Sequence, residues 1–299
     1  CEYWEELRRN EKMETVIGLG SAGCNIADYF AQYPQYKVYK IDNGIYGKNC
    51  HFLPKYDTPE EYEAHIGDLS SFFSGVIGDI LFVVGGSGDV SGAALRILEQ
   101  LKHCNINVLY IEPNIDILSG KKKLQERMAY YVFQEFARSG LFERLYLVSN
   151  LQLESVLGDV PIIGYNDRLN NLIVSTFHMI NVYNNNKPVA ENVSEFRENT
   201  RISTIGISTL ENEKKLFFSL DNVREMKYYY AINRKKLETD GTLMRKITEN
   251  VKNEADIDVS YGIYATDYAD DYVYCVANAS MIQYRENEKK ALQIENEVV

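Results

Sequence analysis

Glu14-Thr15-Val16-Ile17-Gly18-Leu19-Gly20-Ser21-Ala22-Gly23-Cys24-Asn25-Ile26 begins as a short apolar strand and ends in three glycines at G-x-G-x-x-G spacing. Helical apolar spacing takes over at residues 22–33. Glycines at such a junction let the backbone turn sharply and come close to a ligand. The helix behind them offers unpaired N–H groups and the positive end of its dipole, which together suit a phosphate. Residues 36–41 alternate as a second strand, and Asp42 stands at its end, 19 residues past Gly23. That is where a ribose-binding acid belongs in a dinucleotide fold.

A second stretch of the same kind lies downstream. The continuous apolar run at residues 79–84 predicts a buried parallel strand. Gly85-Gly86-Ser87-Gly88-Asp89-Val90-Ser91-Gly92-Ala93-Ala94 follows, and residues 93–103 read as a helix. A dinucleotide enzyme has no general need of a second glycine loop, whereas a protein gripping one triphosphate from two sides does. Further strands are predicted at 51–56, 107–111 and 144–148, and helices at 59–73, 121–140 and 166–184. Thr58 and Glu61 form a capping box in front of the first of these helices. Such alternation predicts an α/β fold with a Rossmann-like parallel sheet, nucleotide loops and a long core helix. Residues 1–186 form this expected nucleotide-binding domain. Strands at 201–208, 228–232, 259–264 and 272–277 and a helix at 237–255 make 187–285 a smaller α+β domain. Residues 286–299 read as a polar tail.

The bulk composition sets bounds. The formal net charge of −11 works against general nucleic-acid binding. No apolar run reaches the roughly 18 residues of a membrane span, and the charged N-terminus lacks the apolar centre of a signal peptide. A cytoplasmic location is expected. The five cysteines have no C-x-x-C pair and the four histidines no ligand spacing, so neither a disulfide framework nor a zinc site is expected. Lys121-Lys122-Lys123 is a compact basic run, read as a solvated helix start or as positive charge near phosphates.

A third motif opens the long helix: Tyr165-Asn166-Asp167-Arg168-Leu169-Asn170-Asn171-Leu172-Ile173. An aromatic ring there can stack on a base, and an amide, being both donor and acceptor, can read a purine edge. The order of the motifs resembles the tubulin/FtsZ superfamily. Gly20 to Ile26 resembles the first loop of tubulin, and the stretch from Gly86 to Gly92 the signature G-G-G-T-G-[ST]-G. Ile111-Glu112-Pro113 with Ser119-Gly120-Lys121-Lys122-Lys123 resembles the strand and E-G-K-K-R segment of FtsZ. Val148-Ser149-Asn150-Leu151-Gln152-Leu153 resembles its I-P-N-D-K-L segment, and Leu169-Asn170-Asn171-Leu172-Ile173 the tubulin L-N-x-L-I.

The resemblance implies GTP or GDP with Mg2+ between these loops. Gly20, Ser21, Gly23 and Asn25 would line the nucleotide, and Gly86, Ser87, Gly88, Ser91 and Gly92 would cradle phosphates. Asn150 would contact ribose or base, Tyr165 would stack and Asn170 would read guanine. It also implies head-to-tail filaments, related to phage or plasmid tubulin-like proteins, in which an acidic loop of the next subunit completes the hydrolytic site. That loop here is Asn192-Val193-Ser194-Glu195-Phe196-Arg197-Glu198-Asn199, with Glu195 or Glu198 as the acid. The sequence departs from the pattern at Asp89, Val90, Ser119 and Ser194. Two alternatives therefore stand beside the filament-forming GTPase: a structural or binding protein of the same fold without hydrolysis, and a nicotinamide- or flavin-binding enzyme using Gly18, Gly20, Gly23 and Asp42.

Overall fold

Six parallel strands build one half of a single twelve-stranded sheet in the computed structural model, which describes residues 14–192, 197–252, 257–285 and 288–289. They are β1 (Glu14–Leu19), β2 (Tyr36–Asp42), β3 (Cys50–Phe52), β4 (Asp79–Gly85), β5 (Asn105–Glu112) and β6 (Arg144–Ser149). Their spatial order is β3-β2-β1-β4-β5-β6, so the direction of winding reverses between β1 and β4. In a doubly wound sheet this is the switch point, where a crevice opens beyond the carboxyl ends of the strands.

The strands alternate their side chains between two helical layers. Ile17, Leu19, Ile80, Phe82, Val84, Val108 and Tyr110 face α2 (Pro59–His65), α3 (Ala94–Gln100) and α4 (Gly120–Arg138). Val16, Leu81, Val83, Leu109 and Ile111 face α1 (Gly20–Phe30) and the long α6 (Tyr165–Asn184). Between β6 and α6 lies α5 (Asn150–Leu157), a short helix outside the elements predicted from sequence.

The sheet does not stop at β6. β8 (Ile202–Ser208) joins it in parallel through Leu145↔Ile202 and Tyr146↔Ser203. Then follow β12 (Tyr272–Ala279), β10 (Val223–Asn233), β11 (Asp258–Thr266) and β7 (Ala190–Asn192), while the two-residue β9 (Lys215–Leu216) pairs with β8. One face of this half covers Leu243 and Ile247 of α8 (Leu243–Lys252), which follows α7 (Arg234–Thr239). The other face sends Tyr229, Ala231, Tyr264, Tyr274 and Val276 against α6. The core helix is thus packed by both halves. Much of the tyrosine content is consumed here, as in the Tyr183–Tyr264 ring pair at 4.5 Å.

Two predicted helices are shorter than their apolar spacing suggests. The helix expected at 59–73 ends at His65 because Gly67 takes a left-handed φ of +66°, as a terminating glycine does. The helix expected at 237–255 is two. Asn233 caps α7, and Asp240 ends it by accepting the N–H and hydroxyl of Thr242, so the chain restarts as α8.

Candidate nucleotide site

Both glycine stretches leave the sheet at the switch point, one from β1 and one from β4. Gly20 opens α1 with φ +68°. A Cβ on Gly23 would sit 2.3 Å from the Val83 carbonyl oxygen, and one on Gly18 2.4 Å from that of Gly23. Only glycine lets α1 dock this closely on β4. The two loops touch: a Cβ on Gly85 would lie 3.0 Å from the Ala22 methyl, and one on Gly20 3.6 Å from Val90 Cβ. α1 has no acidic residue in its first turn and no side-chain cap, so its positive end is left to the crevice.

The second loop is held from behind. The Gly86 N–H donates to the Ile111 carbonyl (3.1 Å), and the Ser91 hydroxyl to that of Gly85 (2.6 Å). Asp89–Ala93 then coils as a short 3-10 turn, with the Ser91 N–H on the Gly88 carbonyl at 3.1 Å. Space is tight: a Cβ on Gly86 would fall 2.1 Å from the Tyr110 hydroxyl, and one on Gly92 2.2 Å from the Pro59 carbonyl oxygen. The first turns of α4 reach across. Lys122 Nζ pairs with Asp89 Oδ1 at 2.6 Å, and Gln125 Nε2 donates to the Gly88 carbonyl at 2.9 Å. Lys121 and Lys123 are exposed. Val90, where the signature has glycine, is buried beside Gly20.

The remaining candidates are spread around this centre. Ser21 and Asn25 are exposed on α1. Ser21 donates its hydroxyl to Asp42 Oδ2 at 3.2 Å, and the Asn43 N–H donates to Asp42 Oδ1 at 2.8 Å, so both carboxylate oxygens already have partners. Burial, with Asp42 nearby, pushes the Cys24 thiol up to about 12, leaving it an inert packing group. Ser87 lies half-buried between Gly86 and Gly88. Asn150 opens α5 at the carboxyl end of β6, two strands along from β4. Tyr165 starts α6 and donates its hydroxyl to Glu154, and burial together with that carboxylate raises the phenol to about 12. Asn170 lies half-buried one turn further on. Tyr29 of α1 donates to Asp167 Oδ1 at 2.9 Å, which fastens the first turn of α6 to α1.

The acidic loop is elsewhere. The 20 residues of α6 span about 30 Å. The helix ends with Asn184 beside Glu14, Asp79 and Asn107, at the amino ends of the parallel strands. Glu195 lies outside the described residues. Glu198 is exposed on a turn whose neighbour Arg197 is fixed to Glu225 and Asp258, at the starts of β10 and β11. The glycine loops and Glu198 therefore occupy opposite ends of the subunit.

One feature was not foreseen from the sequence. A cleft of about 1220 Å³ lies between α4 and Ile282, Gln283, Tyr284, Arg285, Glu288 and Lys289. Beneath it Arg285 Nη2 binds both oxygens of Glu126 at 2.6 Å and Glu112 Oε1 at 3.2 Å. The Tyr110 hydroxyl that abuts Gly86 donates to Glu126 at 2.9 Å, linking this buried cluster to the second glycine loop. A charged residue on the apolar face of α4, in line with Tyr130, Phe133 and Ala137, was the available signal.

No family model matches the chain, and no curated protein matches it. Solved structures do. FtsZ from M. jannaschii aligns with a TM-score of 0.68 at 14% identity, over 93% of this chain and 91% of that one. A GTPγS-form protofilament of TubZ from Bacillus thuringiensis serovar israelensis aligns at 0.69 and 14%, over 100% and 99%. CetZ1 from Haloferax volcanii, a GDP-bound monomer, aligns at 0.67 and 16%, over 95% and 99%. Among the described residues no helix is long and apolar enough to cross a membrane. With its switch-point glycine loops, its core helix and these end-to-end alignments, the chain has the tubulin/FtsZ fold.

Proposed function

We propose that this protein is a guanine-nucleotide-binding cytoskeletal element that stacks head to tail into filaments in the cytoplasm. GTP hydrolysis is completed by the acidic loop of the adjoining subunit. The observation that carries the reading is the separation along α6: glycine loops at one end of the subunit, Glu198 at the other. An acid so placed cannot serve its own nucleotide, but stacking subunits with one repeated contact brings it to the next one. TubZ forms protofilaments, one of them in a GTPγS form, which supports the same reading here.

The crevice suits a phosphate chain. Gly20 supplies a left-handed turn, Gly23 admits backbone at a distance a side chain would forbid, and the uncapped start of α1 favours an anion. From the second loop Gly86, Ser87, Gly88, Ser91 and Gly92 would cradle the phosphates. Ser21 and Asn25 flank the phosphates, Asn150 reaches ribose or base, Tyr165 stacks and Asn170 reads guanine. Mg2+ is the expected counter-ion, held mainly by phosphate oxygens. Glu195 or Glu198 would polarise the attacking water.

A second reading, a filament or binding protein without turnover, is favoured by Asp89 and Val90 in the phosphate loop. The dinucleotide reading is weakened by Asp42, whose two oxygens are held by Ser21 and Asn43 rather than left for a ribose. Equilibrium titration with GTP, ATP and NADH separates these cases. GTP preferred over ATP is expected. NADH binding without GTP binding would overturn the proposal. GTP binding without phosphate release at any protein concentration would select the second reading.

A further inference from the structure

We propose that Asp89 and the nucleotide's phosphates compete for one cation, Lys122, so that Asp89 sets how tightly this loop holds a nucleotide. The inference rests on the nucleotide reading above and adds a regulating pair to it.

Three observations carry it. First, Asp89 starts the 3-10 turn of the phosphate loop and is its only acidic side chain, so it stands where added negative charge is repelled. Second, of three consecutive lysines only Lys122 turns inward, with its Nζ 2.6 Å from Asp89 Oδ1, while Lys121 and Lys123 are exposed. Third, the pair is about one-third exposed, Lys122 at 35% and Asp89 at 32%, so neither charge is locked in by burial. A lysine ammonium is a point charge on a flexible stem with three donors. It can exchange a carboxylate oxygen for a phosphate oxygen with little rearrangement of α4. Gln125, one turn along, keeps the loop in reach of the helix through the Gly88 carbonyl at 2.9 Å. The carboxylate is thus an internal rival of the phosphate. Removing it frees Lys122 for the ligand, and removing Lys122 leaves Asp89 facing the ligand without compensation.

The discriminating feature is that the two single substitutions act in opposite directions. Asp89→Asn, Lys122→Met and the double variant are compared with wild type by titration with GDP and with GTPγS, in magnesium and in EDTA. Thermal unfolding of each checks that the fold is kept. Asp89→Asn should tighten both nucleotides about threefold, and Lys122→Met should weaken both about tenfold, the scale of a charge-assisted contact at a partly exposed site. Loss of Lys122 should cost at least as much in the Asp89→Asn background. If both single variants weaken binding alike, the pair only braces the loop and the proposal fails. If Asp89→Asn weakens binding in magnesium but not in EDTA, the carboxylate holds the metal and the proposal fails as well. Wild type and all variants failing to bind either nucleotide would refute the nucleotide reading itself, and this pair's role with it.

Discussion

Replacing Arg285 by alanine should unfold this protein more readily than any surface change of comparable size. Its guanidinium, 16% exposed, is the shared cation of Glu126, fully buried, and Glu112, also buried. It sits 2.6 Å from both Glu126 oxygens, 3.2 Å from Glu112 and 4.5 Å over the Tyr130 ring. Truncation leaves two carboxylates in the interior with no counter-charge, a change that costs about 3–5 kcal/mol. The cation–π contact contributes up to about 1 kcal/mol within that range. Urea unfolding at pH 7 reads the loss as a lower midpoint. Burial already holds the Glu112 carboxyl above its ordinary range despite the arginine. A raised acid stabilises the fold fully below its unfolded value and loses that contribution as the pH rises through its folded one. The Arg285→Ala deficit should therefore shrink as the buffer is taken from pH 7 towards pH 5. A loss under about 1 kcal/mol at pH 7 would refute the reasoning, because an exposed pair costs no more than that.

Gly88→Asp and Asn170→Ala should each weaken GTP binding by about tenfold or more, the first by adding charge to the phosphate loop and the second by removing a base contact. A Cβ on Gly88 meets only Ser91 Oγ at 3.4 Å, so folding should survive; unaltered GTP affinity in both variants would show that the pocket is misplaced. Glu195→Gln or Glu198→Gln should lower GTP turnover in filaments by about a hundredfold or more and leave the affinity of isolated subunits unchanged. Weaker binding by the monomer would place the acid in its own subunit's site. Burial of His178 lowers it from 6.5 to about 4, among Gln35, Tyr36 and the stacked Tyr33. A base held neutral in the fold stabilises fully above its unfolded value and loses that as the pH falls through the folded one. Stability should thus drop by about 2–3 kcal/mol between pH 6.5 and pH 4. His178→Gln should flatten that part of the profile, and an unchanged slope would exclude His178 as its source.

What could be read from sequence was local. The two glycine stretches mark their own turns, because backbone approach at Gly18, Gly23 and Gly92 admits no other residue. The box at the start of α2 is complete: the Glu61 N–H donates to Thr58 Oγ1 at 3.2 Å, and the Thr58 N–H to Glu61 Oε2 at 3.2 Å. β4 and α6 announce themselves by an unbroken apolar run and by length. What was hidden depends on partners far along the chain. The link from β6 to β8 is two residue pairs wide, too little to leave a pattern. α5 buries only Leu153, so its apolar spacing carries no clear stripe. At the site, Asp89 read as an isolated misfit because its partner Lys122 is 33 residues away. Glu126, Glu112 and Arg285 could not be joined before the segment after β12 was seen to cross α4.

The most direct test of a nucleotide-gated, head-to-tail polymer is sedimentation of the purified protein in magnesium buffer with GTP, with GDP and with no nucleotide. Pelleting with GTP, and not with GDP or without nucleotide, is the expected result. Pelleting in none of the three conditions, or equally in all of them, would contradict it.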